Sequence, residues 1–326
     1  MHKLSYISGT ITGEVALPRI RKEKISEMRL AMTSFVVAVS FLAVSSVHLS
    51  HFDFQVDCLT FLLKSYLLTF LYAIAGLTLF VIVAHFIRKE SDQDLLKRYR
   101  LIAFFVPAMM LVNLTYFTLK AGSVAYNSNF PLILHEYGIW KALRALFASL
   151  PHCIYRVLAI TYTGVWFASL SALPFSLILL NPKKATTLNS AVLLLLAFTA
   201  LGNVVLLTSS PVYELHHYFS YLPRDLSTWK IHQASLALSH DLVHLKTALF
   251  SGRSAGFFQP VAAFPAFHSG YALLLFLAFR DRRCLRILFL AFWLAIVIGG
   301  IVLGYHGFSD TFIASLVALA MFPRGM

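Results

Sequence analysis

The stretch Val157–Leu180, VLAITYTGVWFASLSALPFSLILL, runs for 24 residues without a charged side chain. An α-helix rises about 1.5 Å per residue, so a run of this length crosses the roughly 30 Å hydrocarbon core of a bilayer. Seven further uncharged runs flank it: Leu30–Leu49, Ser65–Phe86, Leu101–Leu119, Ala191–Thr208, Phe264–Phe279, Ile287–Leu303 and His306–Phe322. Lipid leaves exposed backbone groups unsatisfied, and the runs are too long for barrel strands, so each is predicted to be a helix. The fold class that follows is an all-α polytopic membrane protein with about eight transmembrane helices.

Composition agrees. The 326 residues are 59% hydrophobic and 13% charged, against about 45–50% and about 25% in an ordinary globular domain. A water-soluble enzyme of this length has no core large enough to hide that apolar surface. The three cysteines, Cys58, Cys153 and Cys284, make neither a disulfide framework nor a cysteine zinc pattern. The first 29 residues are polar and basic and the first apolar run is long enough to remain as an anchor, so no cleavable signal peptide is predicted.

The net charge of +13 is divided among short loops. With eight spans both termini share a face. Eighteen of the 27 lysines and arginines fall on that face, in residues 1–29, the loops around Arg88–Arg100, Lys183–Lys184 and Arg280–Arg286, and Arg324. The other nine are spread over much longer loops. The positive-inside rule therefore puts both termini in the cytoplasm and the long loops on the periplasmic, exterior or luminal side. No single basic patch forms, which excludes nucleic acid as a partner. Two outer-face segments are predicted not to span. Asn127–Leu150 contains an amphipathic stretch, Ile139–Leu150 with Lys141 and Arg144, suited to the interface. Pro211–Pro260 is the longest polar excursion and is rich in His, Tyr and Ser.

Three residues near the end of the chain carry chemistry: His268 in FPAFHSG (264–270), and His306 and Asp310 in GYHGFSD (304–310). On this topology all three sit at one membrane depth on the outer face. His306 and Asp310 are four apart and share a helix face if the helix begins there. A carboxylate on one imidazole nitrogen fixes the tautomer and leaves the other nitrogen free to attack phosphorus. A second histidine can protonate the leaving oxygen. Helix N-termini would add N–H donors for phosphate, and Pro265 suits a first helical turn. The plain alternative is that each histidine is an interfacial packing residue. Their coincidence with an acid near the bilayer, costly without a partner, favours function. His240 and His244, four apart with Asp241 between them and His216, His217 and His232 nearby, would be a metal site on a second reading. The glutamate of the metalloprotease pattern is absent.

At these residues the chain resembles the type 2 phosphatidic acid phosphatase superfamily, in particular its inositol phosphorylceramide synthase-like branch. The family's Pro-Ser-x-His motif reads Pro265-Ala266-Phe267-His268, and its later His and Asp, four apart, read His306 and Asp310. A small-residue-Pro-x-aromatic element reads Ser209-Ser210-Pro211-Val212-Tyr213, a basic residue before the first motif reads Arg253, and a lysine after an earlier span reads Lys120. The motif serine is replaced by Ala266, and the Lys-(x6)-Arg-Pro motif of the simple lipid phosphatases is missing, as is usual for the synthase-like branch.

The resemblance covers roughly Leu101–Phe322 and implies a six-helix lipid-phosphatase-like core. The chain then divides into a basic segment at 1–29, two additional spans at 30–100, and the core at 101–326 with outer-face segments 120–156 and 209–263. The implied catalytic residues are His306 as nucleophile, Asp310 orienting it, and His268 as general acid. Arg253, Lys120, Pro211 and Tyr213 are implied to bind substrate, with no metal and no cofactor. The implied substrate is a lipid phosphate or phospholipid. Water as acceptor makes a phosphatase; an alcohol acceptor makes a headgroup phosphotransferase. The competing readings are a family member without activity, which Ala266 keeps open, and a transporter of lipid phosphates. A transporter predicts ionisable residues at mid-membrane, whereas the charges here cluster at span ends.

Overall fold

A computed structural model describes residues 29–40, 43, 78, 82, 91–126, 136–206, 210–214, 216–224 and 264–322. Among the described residues every regular element is a helix. They are α1 (Arg29–Ser40), α2 (Asp92–Tyr126), α3 (Tyr137–Ala148), α4 (His152–Ile160), α5 (Trp166–Leu180), α6 (Pro182–Val205), the short α7 (Pro211–Glu214), α8 (Phe267–Phe279), α9 (Arg283–Val302) and α10 (Phe308–Met321). Three helical stretches are long and apolar enough to cross a membrane: His152–Leu170, Pro182–Val205 and Arg283–Val302. The predicted span Ser65–Phe86 lies almost wholly outside the described residues.

Helix α6 is the central post, with α2, α5, α8 and α10 packed around it. Its start is encoded locally. The Asn181 side chain accepts from the Lys184 N–H at 3.0 Å, and Pro182 occupies the first turn, where its missing N–H costs nothing. The helix therefore begins nine residues before the uncharged run Ala191–Thr208. Several of its buried polar residues are bonded within the helix layer. Thr186 and Thr199 donate to carbonyls four residues back, and the Asn189 amide donates to the carbonyls of Ala185 and Pro174. Bonding of this kind is what an apolar surround demands.

Close approaches fix the neighbours. A Cβ on Gly270 of α8 would lie 2.8 Å from Leu195 of α6 and 3.0 Å from the Ala314 carbonyl of α10, so glycine lets the three backbones meet. The outward face of α9 carries exposed Ile287, Leu288, Leu294 and Ile298, as a lipid-facing side would.

A second, aromatic cluster lies at one end of the bundle. Trp140 of α3 packs on Phe147, Phe219 and Phe308. Tyr221 donates to the Val302 carbonyl at 2.8 Å, and burial pushes its hydroxyl well above the usual phenol range. The amphipathic stretch predicted at Ile139–Leu150 is realised as α3, with Trp140 buried and Ile139, Leu146, Lys141 and Arg144 exposed. Arg144 is held over the Tyr218 ring and reaches the Ser220 hydroxyl at 3.3 Å. Lys184 pairs with Asp281 at 2.5 Å across two short turns, and that lysine holds the Asp281 carboxyl below its usual range.

Candidate active site

His268 is the second residue of α8. Ala266 caps that helix without a side-chain bond, its carbonyl taking the Ser269 and Gly270 N–H groups at 3.0 and 3.3 Å. Pro265 therefore precedes the helix and does not stand in its first turn, a correction to the sequence reading. The Ala266 N–H donates to the Asp310 carbonyl at 3.2 Å, which ties the first histidine segment to the second.

The second segment is a tight return at the end of α9. The Tyr305 and His306 N–H groups both donate to the Gly300 carbonyl, at 2.8 and 3.1 Å, and Gly304 stands at φ +75°. This left-handed turn suits glycine. Gly300 supplies the room: a Cβ there would sit 3.3 Å from the Tyr162 ring and 3.6 Å from that of His306. Helix α10 starts only at Phe308, with Gly307 extended at its N-cap. His306 thus lies before the helix, and the shared helix face predicted for His306 and Asp310 does not exist.

Asp310 has a different partner from the one expected. Its Oδ2 accepts from the Gly307 N–H at 2.7 Å, the bond an acid at the third helical position makes to the N-cap. Its Oδ1 accepts no hydrogen bond among the described residues, although the side chain is only 2% exposed. The carboxylate fastens the turn that carries His306.

Three groups that sequence reasoning missed complete the arrangement. The α4–α5 span is interrupted by a π-helical turn at Thr161–Val165, a local irregularity that often accompanies functional positions. From it Tyr162 stacks on His268, with ring centres 4.7 Å apart and planes 13° off parallel, and on Tyr305 at 4.8 Å and 3°. Trp166, one helical turn on, lies 3.9 Å from the His268 ring. The two imidazole centres are 5.8 Å apart. The third is Glu136, just before α3. Its carboxylate is buried and accepts from the Phe308 N–H at 3.1 Å, from the Ser309 N–H at 2.7 Å and from the Ser309 hydroxyl. The N-terminus of α10, expected to be open to phosphate, is therefore taken by two side-chain carboxylates, those of Glu136 and Asp310.

The other predicted residues are less fully placed. Pro211 is buried at the start of α7, whose Val212 N–H donates to the Gly304 carbonyl at 3.1 Å, so this element does meet the His306 turn. Tyr213 lies on α7 and Lys120 on α2. Arg253, His232, His240 and His244 lie outside the described residues. Among the described residues no group of three His, Cys, Asp or Glu side chains is placed to hold a metal ion.

No family model, no curated protein and no solved structure matches this chain.

Proposed function

We propose that the protein is an integral membrane enzyme that transfers the phosphoryl or phosphoalcohol group of a lipid through a phosphohistidine. The observation that carries this reading is the neighbouring pair of imidazoles, His268 and His306, with ring centres 5.8 Å apart on segments joined by the Ala266–Asp310 backbone bond.

The steps follow from the residues. A ring nitrogen of His306 attacks phosphorus, and the bond from phosphorus to the lipid oxygen breaks. His268, wedged between Tyr162 and Trp166, gives its proton to the departing alkoxide. Water or an acceptor alcohol then attacks the phosphohistidine and returns a proton to His268. Asp310 serves as the fastening of the His306 turn. Arg253 and Lys120 are proposed as phosphate ligands, as guanidinium and ammonium chemistry suits them, with Pro211 and Tyr213 beside the turn. The full arrangement proposed is eight spans, a six-helix core over 101–326, cytoplasmic termini and a site on the opposite face.

The test is release of inorganic phosphate by purified protein from polyprenyl and glycerolipid phosphates, beside His306→Ala. Release that vanishes in the variant is expected. Wild-type release by His306→Ala overturns the nucleophile assignment. No release from any lipid by the folded protein moves the reading to headgroup transfer.

A further inference from the structure

The four arginines of residues 280–286 count alike toward sidedness, but the structure places them differently. Arg280 is half-buried and, with the exposed Arg282, acts on the Asp281 carboxylate that Lys184 already holds at 2.5 Å. Asp281 is the single acid between His268 and His306. Arg283 and Arg286 stand beyond it, in the first turn of α9. Both are exposed, and neither side chain has an ion pair or a hydrogen bond among the described residues.

Their surroundings are apolar. Residues at i, i+4, i+7 and i+11 share a helix face. From Arg283 that series reads Ile287, Leu290 and Leu294, all exposed, while Phe289 and Ile296 on the other side of α9 are buried. At about 1.5 Å per residue, the 20 residues of α9 match the roughly 30 Å hydrocarbon core of a bilayer. The two arginines therefore stand where the lipid-facing stripe of a spanning helix meets the headgroup layer.

The protein gives these cations nothing in return. Positive charge at this end opposes the helix dipole, and the first turn of α9 contains no acid. Side chains three residues apart on a helix are neighbours, with Cβ atoms about 5–6 Å apart, so the two guanidinium groups repel. An anion between them removes both oppositions. Each guanidinium presents a fork that matches two phosphate oxygens. Each stem is long enough to lie along apolar surface while its head stays at the interface.

We propose that Arg283 and Arg286 bind the headgroup of an anionic phospholipid whose acyl chains lie along Ile287, Leu290 and Leu294. The Lys184–Asp281 pair holds the turn behind the site by joining it to the start of α6. A zwitterionic headgroup brings its own ammonium to the arginines, so the site selects for net negative charge. This inference stands apart from the phosphoryl-transfer reading, since it concerns the end of α9 remote from the His306 turn.

The experiment compares two lipids. Full-length protein in detergent is titrated with phosphatidylglycerol and, separately, with phosphatidylcholine, and bound lipid is read by native mass spectrometry. The wild type is expected to bind phosphatidylglycerol more tightly. One arginine at an anionic lipid surface is worth about fivefold, so Arg283→Gln and Arg286→Gln are each expected to lower the phosphatidylglycerol preference by about that factor. The double variant is expected to lower it further than either. Arg282→Gln removes the same charge from the turn and is expected to keep the wild-type preference. All variants carry the same histidine site, so differences between them report the α9 site alone. A wild type without preference, or a double variant that keeps it, overturns the proposal. Equal losses in all three single variants also overturn it and leave a diffuse basic loop. If the double variant does not fold, the three single variants at wild-type melting temperature decide.

Discussion

The Ala266 N–H and the Asp310 carbonyl are 3.2 Å apart and hydrogen-bonded, so the two histidine-bearing segments are one unit. The bond uses backbone on both sides, so it does not depend on the side chain at 266. The same unit is braced from α6. A Cβ on Gly202 would fall 2.5 Å from Pro265 Cδ and 3.3 Å from its Cγ, so the proline ring lies flat on a bare stretch of α6 backbone.

Gly202→Ala tests that brace. The proline ring cannot swing aside as a flexible side chain would, so the overlap moves the 264–268 segment. Overpacking of this kind costs about 1–3 kcal/mol. Phosphate release is expected to fall more than the melting temperature alone explains, because His268 is carried on the displaced segment. A variant with wild-type turnover would mean that the segment moves without disturbing His268.

The two histidines differ in exposure and in expected cost. His306 is 7% exposed in the tight return after α9, and His268 is half-buried against Tyr162 and Trp166. His306→Ala removes the proposed nucleophile and is expected to abolish release. His268→Ala removes a general acid and is expected to cost about 10²–10⁴-fold. Substrates with better leaving groups should recover much of the His268→Ala loss and none of the His306→Ala loss, a contrast read by comparing aryl and alkyl phosphate esters.

The parts of this arrangement that were legible in the sequence are local. The FPAFHSG and GYHGFSD segments lie within 50 residues of each other, and the apolar runs between them imply the turns that bring them to one end. The misplacement of His306 on a helix has a visible cause. Gly304 and Gly307 bracket it, and the first adopts a left-handed φ while the second extends the chain, so the helix cannot start before Phe308. A substitution shows the weight of that turn. Gly304→Ala must accept φ +75°, at about 1–2 kcal/mol, and sets its Cβ 2.7 Å from Phe219 and 2.8 Å from Val212. A lower melting temperature is the expected result.

Glu136, Tyr162 and Trp166 were not legible, because tertiary packing alone selects them. Tyr162 and Trp166 are ordinary aromatics in an apolar run until the π-helical turn directs them at His268, and no periodicity announces such a turn. Glu136 is a single acid in a segment between two apolar runs, 172 residues from the Phe308 N–H it accepts.

Tyr162 separates packing from ligand binding. Tyr162→Phe keeps the stack between His268 and Tyr305 and removes a hydroxyl that has no partner among the described residues. Its melting temperature is expected to equal or exceed that of the wild type, since losing an unsatisfied buried group is nearly neutral or stabilising. Tyr162→Leu removes the stack, worth about 0.5–1.5 kcal/mol beyond area, and frees His268 to turn. Substrate KM should rise in Tyr162→Phe with kcat nearly kept, whereas kcat should fall in Tyr162→Leu. Identical kinetics in Tyr162→Phe and the wild type would show that the hydroxyl meets no substrate.

Asp310 gives the sharpest discrimination between an orienting acid and a fastening one. An acid that holds the imbalance of charge on His306 cannot be replaced by its amide; in a serine-protease triad that exchange costs about 10⁴-fold. A cap can be so replaced, because the asparagine oxygen still accepts from Gly307. The observed bond is the capping one, at 2.7 Å to the Gly307 N–H, and Oδ1 makes none. Asp310→Asn is therefore expected to keep its melting temperature and to lose far less than the triad factor in turnover. Asp310→Ala leaves the Gly307 N–H without its acceptor, costs about 1–2 kcal/mol, and loosens the turn that holds His306. Melting curves and phosphate release on the same two variants check both halves. A collapse of turnover in a fully stable Asp310→Asn would put the carboxylate on His306 during the reaction, through the oxygen that is unoccupied at rest.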